Sequence, residues 1–282
     1  MKAKVLKKEL LSPGVYRFDV EAPRIAKKTQ PGQFIILRVN EEGERIPLTV
    51  ADFDREKGVI TIIFQAVGAS TELLARLEEG DEILDFVGPL GQKSEIAPGI
   101  GTVVCIGGGI GVAPVYPIAR GMKEAGNKVI SIMGARSKDI LIMEKEMRAV
   151  SDETVITTDD GTYGIKGFVT TALAQLVERG EKIDLVYAIG PVVMMKSVVD
   201  ATRPLGLKTI VSLNPVMVDG TGMCGGCRVQ VGNETKFACV DGPEFDGHLV
   251  DFAGLRARQG MFREMEAEEK DHICRIGLGR GA

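Results

Sequence analysis

The 282-residue sequence contains no tryptophan and only two histidines, His248 and His272. Because imidazole is a common general base and metal ligand, this scarcity leaves little material for a serine–histidine–aspartate triad or a histidine-rich metal centre. A formal net charge of −4 argues against nucleic acid as a partner, since phosphate binding requires a concentrated basic face. With 44% hydrophobic and 26% charged residues, the chain has a globular composition and enough length for two domains.

Long uncharged runs are also scarce. Residues 96–119 carry no charge and, at 24 residues, are long enough to span a bilayer as a helix. Their six glycines and three prolines favour a buried strand, a tight loop and the start of a helix instead. Residues 1–11 alternate lysine with apolar residues, which predicts a strand and not a signal peptide. We therefore expect a cytoplasmic protein without a membrane span.

The pattern of apolar runs divides the chain into four segments. Residues 1–97 contain strand-like runs and one helix near 70–78, which predicts a small antiparallel barrel. Residues 98–215 alternate strands with helices, which predicts a parallel sheet covered on both faces. The expected strands are 102–106, 128–133, 154–157, 184–189 and 207–212, and the expected helices lie near 113–125, 139–149, 168–179 and 192–202.

The remaining segments complete the predicted fold class, a β-barrel plus an α/β domain with a small C-terminal module. Residues 216–250 are rich in glycine and cysteine and have too little regular pattern to belong to either domain. Residues 251–282 are charged, and we expect them to be helical and to dock a partner.

Three consecutive glycines follow the first strand of the predicted α/β domain, in the run GGGIGVAP at 107–114. Such glycines let the backbone approach a pyrophosphate, and the following helix offers N–H groups at its N-terminus. The run does not fit GxGxxG but fits GxGxxP. We assign Gly107, Gly109, Gly111 and Pro114 to nucleotide binding, with a flexible turn that binds nothing as the alternative.

Two barrel segments offer groups for an anionic ligand. Residues 45–49 (RIPLT) place a guanidinium at a strand edge and a hydroxyl four residues later. Residues 68–71 (GAST) open the predicted barrel helix, whose N-terminus can receive a phosphate. Each segment alone is common in proteins, so the inference depends on their combination upstream of a glycine-rich nucleotide motif.

The cysteines are odd in number and include one close pair, which indicates metal binding in a reducing compartment and not a disulfide framework. Asp219, Cys224, Cys227 and Cys239 have the spacing of a plant-type [2Fe–2S] site with aspartate in the first position. The alternative is a structural zinc ion held by the three cysteines and His248. We expect Cys105 to be a buried strand residue and Cys274 an incidental thiol.

The order of these motifs, followed by Gly190-Pro191-x-x-Met194, resembles the ferredoxin–NADP reductase superfamily over residues 1–213. The resemblance implies FAD in the barrel, with the Thr49 hydroxyl beside the reactive flavin N5 as the single catalytic candidate. The family's arginine stands three residues before this hydroxyl, whereas Arg45 stands four before it. The implied FAD-binding residues are Arg45, Pro47, Leu48, Thr49, Gln65, Val67, Gly68, Ser70 and Thr71, and those implied to face NAD(H) are Gly190, Pro191 and Met194.

The choice between NAD(H) and NADP(H) depends on charge. Asp159 and Asp160 follow the third strand of the α/β domain, where NADP-specific relatives tend to place serine and arginine. A carboxylate there repels a 2′-phosphate and accepts a hydrogen bond from a ribose hydroxyl, which favours NAD(H). Arg136, after the second strand, favours NADP(H).

The whole chain resembles a narrower group, the electron-transfer subunits of type B dihydroorotate dehydrogenase and the small subunits of NADH-dependent reduced ferredoxin:NADP⁺ oxidoreductase. Asp219 in place of cysteine, and Ser212-Leu213-Asn214 in place of S-L-E, favour the second. The resemblance implies FAD, a [2Fe–2S] cluster and NAD(H), a larger flavin and iron–sulfur partner with an NADP(H) site, and ferredoxin as an indirect partner in electron bifurcation. A dihydroorotate dehydrogenase subunit, a stand-alone NADH diaphorase and a zinc-stapled scaffold are the alternatives.

Overall fold

The structure, a computed structural model, describes residues 2–262, 264–266 and 268. The first part is an antiparallel sheet of strands β1 (Ala3–Ser12), β2 (Val15–Glu21), β3 (Phe34–Arg38), β4 (Ile46–Asp54), β5 (Val59–Gln65), β6 (Glu82–Ile83) and β7 (Asp85–Leu90). Their order is β6-β1-β2-β5-β4-β3-β7. Only Leu84 separates the two outermost strands, so the sheet curls into a nearly closed barrel, as predicted. Two short helices, α1 (Pro23–Ala26) and α2 (Ala69–Ala75), accompany it.

The second part is the predicted parallel sheet. Its strands are β8 (Thr102–Gly108), β9 (Lys128–Ala135), β10 (Glu153–Thr158), β11 (Ile165–Lys166), β12 (Leu185–Ile189) and β13 (Thr209–Ser212). Its helices are α3 (Val112–Glu124), α4 (Glu144–Ala149), α5 (Val169–Glu178) and α6 (Val192–Thr202). Every residue of β8 is buried, as expected for the central strand of a sheet covered on both faces.

The cysteine-rich segment attaches to this sheet. It forms a hairpin of β14 (Arg228–Val231) and β15 (Glu234–Phe237), then β16 (Glu244–Asp246) and helix α7 (Phe252–Gln259). Strand β16 pairs antiparallel with β13, which gives the sheet order β11-β10-β9-β8-β12-β13-β16. Cys227, Cys239 and Phe245 pack in one hydrophobic cluster with Ile106 of β8. Helix α7 begins where a charged helical segment is predicted, but residues 263, 267 and 269–282 of that segment lie outside the described residues.

Helix α3 joins the barrel to the parallel sheet. Strand β5 is buried on both faces, because Ile62 fills the barrel while Ile63 packs in the cluster that contains α3. Arg120 of α3 also donates a hydrogen bond from Nη1 to Oδ1 of Asp52 on β4 at 2.7 Å. Within the part of the chain that the structure describes, no helix has the length and apolarity needed to cross a bilayer.

A buried carboxyl group, Glu244 at the start of β16, lies where the three parts meet. Ser94 Oγ, from the segment after the barrel, donates to Glu244 Oε1 at 2.5 Å. A Cβ at Gly32 would lie 2.7 Å from the same oxygen. Burial raises the pKa of Glu244 to about 7, the Ser94 hydrogen bond opposes this, and the charge of Glu95 adds to it. An acid with a near-neutral pKa thus occupies the junction.

We expect E244Q to raise the melting temperature at pH 8 but not at pH 5. A pKa raised from 4.5 to about 7 means that the folded chain holds a proton that the unfolded chain releases. Stability therefore falls as pH rises through this window, by a few kcal/mol at most, on the order of 3. The amide of glutamine carries no such penalty, so the gain at pH 8 should be roughly 5 °C. Thermal scans of wild type, E244Q and the exposed control E56Q test this, and an equal gain at both pH values would contradict it.

Candidate functional site

The glycine-rich turn lies at the point where the strand order of the parallel sheet reverses. Gly107 and Gly108 end β8, residues 109–111 form one 3₁₀ turn, and α3 begins at Val112. Strand β8 lies between β9 and β12. From β8 the chain continues through β9 to β10 and β11 on one side, and it later returns to β12 and continues to β13 on the other side. Open α/β sheets bind ligands in the crevice at such a position.

The glycines of this turn have different roles. A Cβ at Gly107 would lie 2.7 Å from Cα of Val112, and a Cβ at Gly111 would overlap the carbonyl oxygen of Ile189. These two glycines therefore let β8, α3 and β12 approach one another closely. Gly109 has a φ of +56° and open space around the position of a Cβ, so it faces the crevice.

Helix α3 directs its N-terminus into the same crevice. Its N-cap is Gly111, so no side chain caps the N–H groups of the first turn, and Pro114 in that turn has no N–H to satisfy. Uncapped N–H groups and the partial positive charge of a 13-residue helix suit a diphosphate. The structure thus brings Gly109, Gly111 and Pro114 together, as the GxGxxP motif predicts.

The segment after β12 closes the other side of the crevice. Pro191 is the N-cap of α6, and a Cβ at Gly190 would lie 3.0 Å from the carbonyl oxygen of Gly108. A Cβ at Gly108 would overlap Sδ of Met194. The predicted nicotinamide-facing residues therefore lie directly against the glycine-rich turn, although they are about 80 residues away in the sequence.

Strand β4 carries the barrel motif toward this crevice. Pro47, Leu48 and Thr49 are half-buried residues of β4, and Thr49 pairs with Phe34 of β3. Ala51, two residues after Thr49, packs in the cluster that contains α3. The strand therefore passes from the predicted flavin-binding motif directly into the contact with the nucleotide-binding fold. Gln65 ends the neighbouring strand β5.

The start of α2 is held by its own side chains. Thr71 Oγ1 accepts hydrogen bonds from the N–H groups of Val67 and Gly68, at 3.1 Å each, and donates to the Gly68 carbonyl at 3.0 Å. Ser70 Oγ donates to Oε2 of Glu44 at 3.2 Å. Gly68 leaves open space where a Cβ would stand. Thr71 thus shapes this turn and engages the backbone of Gly68, and the missing side chain of Gly68 leaves room for a ligand to approach.

Arg136, Asp159 and Asp160 meet beyond the carboxyl ends of β9 and β10. The Asp160 N–H donates to the Arg136 carbonyl at 3.2 Å, and the Asp159 N–H donates to the Ala135 carbonyl at 3.1 Å. Asp160 Oδ1 accepts from the N–H and the hydroxyl of Thr162, and these bonds, the N–H first, lower its pKa. The Asp160 carboxylate is already engaged by Thr162 in its own turn. The exposed Asp159 is therefore the better candidate to accept a hydrogen bond from a ribose hydroxyl.

Asp219 accepts hydrogen bonds from other residues of the cysteine loop, the irregular stretch of residues 216–227 before β14. Its Oδ2 accepts hydrogen bonds from the N–H groups of Met223 and Cys224 at 2.9 Å each, and its Oδ1 accepts from Thr221 at 3.1 Å. Desolvation opposes ionisation of this carboxyl, but the N–H groups of Thr221, Cys224 and Met223 outweigh it and lower the pKa to about 2. Asp219 is therefore an anion at neutral pH.

The four candidate ligands form two pairs. Cys224 Sγ lies 3.4 Å from Asp219 Oδ1, and Cys227 Sγ accepts the Cys239 N–H at 3.4 Å. Among residues 2–262, 264–266 and 268, no three His, Cys, Asp or Glu side chains converge as the ligands of one metal ion. Two donor pairs suit two tetrahedral irons bridged by sulfides, each iron taking two protein ligands. The residues present therefore fit a [2Fe–2S] cluster.

The remaining cysteine and histidine predictions have clear outcomes. His248 lies away from the cysteine pairs, with Nε2 at 2.9 Å from the Leu207 carbonyl and its own carbonyl bound by Arg203. The geometry therefore gives no support to a zinc ion held by His248 and the three cysteines. Cys105 is buried in β8, as expected, and burial raises the pKa of its thiol to about 12. Cys274 lies outside the described residues.

Polar contacts between distant segments have little signal in the sequence, and two of them bear on the site. One joins the carboxyl group of the half-buried Glu244 to the Ser94 hydroxyl. In the other, Arg45 Nε donates to the carbonyl of Val218 at 3.0 Å. The guanidinium that the resemblance assigns to a flavin phosphate therefore also binds the cysteine loop. The only sequence signal for the second contact is the displacement of Arg45 by one position from the family's arginine.

Comparisons with known proteins agree with this geometry. Residues 105–200 match the family described as the oxidoreductase NAD-binding domain, and residues 214–251 match the iron–sulfur cluster binding domain of dihydroorotate dehydrogenase B. A Thermotoga maritima protein described as a dihydroorotate dehydrogenase B (NAD⁺) electron transfer subunit homolog is 48% identical over 93% of this chain and 92% of its own. The corresponding electron transfer subunit of Geobacillus thermodenitrificans is 34% identical over 86% and 94%.

The solved structures extend the comparison. A chain from the structure of an NADH-dependent reduced ferredoxin-NADP oxidoreductase, studied for flavin-based electron bifurcation, superposes with a TM-score of 0.91. It is 46% identical in sequence, and the match covers 96% of this chain and 97% of that one. The barrel, the nucleotide-binding fold and the cysteine-rich segment are therefore all part of the likeness.

We expect G111A to destabilise the protein more than G108A does. The new methyl group of G111A meets the backbone carbonyl of Ile189, which cannot move without shifting β12. In G108A the methyl group meets the flexible side chain of Met194, which can change rotamer. Overpacking against fixed atoms costs about 1–3 kcal/mol. Thermal unfolding of both variants tests this, and equal melting temperatures would refute the role assigned to Gly111.

Proposed function

The chain belongs to the family of dihydroorotate dehydrogenase B electron-transfer subunits and their homologues, and we propose that it transfers electrons between NAD(H), FAD and a [2Fe–2S] cluster. The observation that carries this proposal is the pairing of Asp219 with Cys224 and of Cys227 with Cys239 in a segment that contacts the barrel. We place the chain within a heteromeric NADH-dependent ferredoxin:NADP⁺ oxidoreductase, in view of the likeness over 96% of its length.

The nucleotide-binding half of the site is formed by backbone. Gly109 and the first turn of α3, which begins after Gly111, would hold the diphosphate of NAD(H), because Gly109 offers open backbone and the helix offers N–H groups that no side chain caps. Gly190, Pro191 and Met194, which lie against Gly108, would face the nicotinamide at the end of β12. Asp159 would accept a hydrogen bond from the adenosine ribose. These contacts orient the dinucleotide across the crevice toward β4.

The barrel half would hold FAD. Thr49 offers a hydroxyl on β4 at the entry to the contact with α3, and Gly68 leaves open space at the start of α2. Pro47, Leu48, Gln65 and Val67 flank these two positions. When bound, the flavin and the cluster supply the hydride and single-electron chemistry. The residues of this chain would orient the nucleotide and bind the cluster, and no histidine is needed as a general base.

Asp219, Cys224, Cys227 and Cys239 would hold the cluster. The N–H groups of Gly226 and Cys239 already donate to sulfur atoms at 3.4 Å, which stabilises negative charge on thiolate ligands. Cys227 and Cys239 are buried, whereas Cys224 is exposed. One side of the loop therefore faces solvent while the other side packs into the protein.

We infer that a larger partner subunit docks over this exposed side. Met223 is 88% exposed and Val218 is 48% exposed, which gives the loop an apolar rim beside the cluster ligands. The partner we expect carries its own flavin, iron–sulfur clusters and an NADP(H) site and exchanges electrons with ferredoxin. The match of residues 214–251 favours, as a second candidate, a dihydroorotate dehydrogenase partner. The protein that co-purifies with the chain distinguishes the two.

We expect the chain purified without oxygen to contain about two irons, two acid-labile sulfides and one FAD, and no stoichiometric zinc. C227S should lose the iron and sulfide, because it removes one ligand of a pair. C105S is the matched control, since Cys105 is equally buried but lies in β8. Iron, sulfide, zinc and flavin analyses provide the measurement. Zinc in place of iron, or iron loss in C105S as well, would overturn the ligand assignment.

We expect D159S to narrow the preference for NADH over NADPH by roughly tenfold, because it removes the charge that repels a 2′-phosphate. D160S is the comparison, since Asp160 is used by its own turn with Thr162 and should mainly lower stability. The ratio of kcat/KM for the two nucleotides, measured with an artificial electron acceptor, is the readout. An unchanged ratio in D159S, or an equal change in both variants, would exclude Asp159 as the discriminating residue.

A further inference from the structure

We propose that Arg45 is a positioning residue that holds the Asp219 side of the cysteine loop against the barrel, and that it does not serve as a flavin-phosphate ligand. The inference rests on the proposed function in that it assigns Asp219 to the cluster. It begins from the observation that both neighbours of Asp219 in the sequence, Val218 and Gly220, contact the barrel.

The first contact is polar. Arg45 Nε donates a hydrogen bond at 3.0 Å to the carbonyl of Val218, the residue directly before Asp219. Arg45 itself stands directly before strand β4, and Pro47, two residues later, pairs with Ile36 of β3. The guanidinium therefore projects from a segment whose position is set by the barrel sheet.

The second contact is apolar and lies directly after Asp219. Gly220 has a φ of +75°, and a Cβ there would lie 2.6 Å from Cδ1 of Ile36 and 2.8 Å from Cδ1 of Leu90. Only glycine can adopt this conformation and lie so close to β3 and β7. Ile36 is thus in contact with Gly220 and paired with Pro47, so the β3–β4 register sets both contacts.

These contacts divide the work of placing the carboxylate. Asp219 sets the shape of the loop, because its oxygens accept the N–H groups of Thr221, Met223 and Cys224. The internal hydrogen bonds do not fix the loop relative to the barrel, and this is what Arg45 and Gly220 do. Through its Nε, Arg45 holds the residue directly before Asp219.

The other ligand pair has its own link to the barrel side. The Gln92 N–H donates to the Gly242 carbonyl at 2.6 Å, and Gln92 Nε2 donates to the Val240 carbonyl, next to Cys239, at 2.7 Å. Removal of Arg45 should therefore loosen residues 219–224 and leave residues 239–242 in place. This asymmetry distinguishes a local positioning role from general destabilisation.

The test compares R45M, R45K and R55M by hydrogen–deuterium exchange of the full chain, with and without its cluster. R45M removes the guanidinium but keeps an apolar stem, and R45K restores a cation with a donor. R55M is the matched control, because Arg55 also donates from the barrel to a backbone carbonyl, that of Thr29. We expect residues 219–224 to exchange roughly fivefold faster in R45M, the factor that one hydrogen bond contributes, with partial recovery in R45K. Residues 239–242 should be unchanged in all three.

Flavin content and the spectrum of the cluster complete the test. We expect R45M to retain FAD at the wild-type ratio, while the electron paramagnetic resonance g-values of its reduced cluster shift, because one ligand has moved. Wild-type exchange in R45M, or loss of FAD with unchanged exchange, would overturn the proposal and return Arg45 to the flavin phosphate. A wild-type chain without a [2Fe–2S] signal would refute the proposed function instead, and exchange in the cluster-free chain would still decide the role of Arg45.

Discussion

The packing of α3 against β4 and β5 is the contact on which the other features of the site depend. One face of this helix covers the parallel sheet, and the barrel residues Ala51 and Ile63 pack in the same buried cluster. Its N-terminus is at the same time the polar end of the nucleotide crevice. Because one rigid element serves both purposes, the barrel motif and the glycine-rich turn have a fixed relation. Hydride transfer between two bound cofactors requires such a relation, since reacting atoms must be held within about 3–3.5 Å.

The cysteine-rich segment adds a second connection between the same two parts. Strand β16 extends the parallel sheet beyond β13, and Cys227 and Cys239 share its hydrophobic core. On the other side, Val218 and Gly220 contact the barrel. The segment is therefore neither an independent domain in its packing nor a simple extension of one neighbour. The segment lies between the barrel and the parallel sheet, and its Glu244 carboxyl is enclosed at this junction by residues that are distant in the sequence, Ser94 and Gly32.

Much of this architecture could be predicted from the sequence, because backbone requirements leave strong local signals. The run at 107–114 predicts a tight strand-to-helix turn, since Gly107 and Gly111 have no room for a Cβ. The spacing of Asp219, Cys224, Cys227 and Cys239 likewise predicts a glycine-rich segment that presents four cluster ligands. Elements without such a signal are harder to predict. The helix predicted near 139–149 is only α4, Glu144–Ala149, because a 3₁₀ turn and Met143 in a left-handed conformation precede it.

Contacts between distant segments were the part that sequence patterns could not predict. Arg45 and Val218 are separated by 173 positions, and Ser94 and Glu244 by 150. A hydrogen bond of this kind leaves no periodicity and no composition bias. The resemblance implies a phosphate contact for Arg45 and gives no signal for its bond to Val218, because a family motif describes the residue type at a position and not every atom that it contacts in a particular chain.

The placement of the two ligand pairs has a mechanical consequence for the loaded protein. Asp219 and Cys224 lie on the loop that Arg45 and Gly220 attach to the barrel, whereas Cys227 and Cys239 belong to the core shared with the parallel sheet. A cluster bound by all four residues would therefore crosslink the two sides of the cysteine-rich segment, one held against the barrel and the other packed in the core of the parallel sheet. Anything that binds the folded arrangement and not the unfolded chain stabilises that arrangement. The cluster would then hold the barrel and the nucleotide-binding fold in register, in addition to carrying electrons.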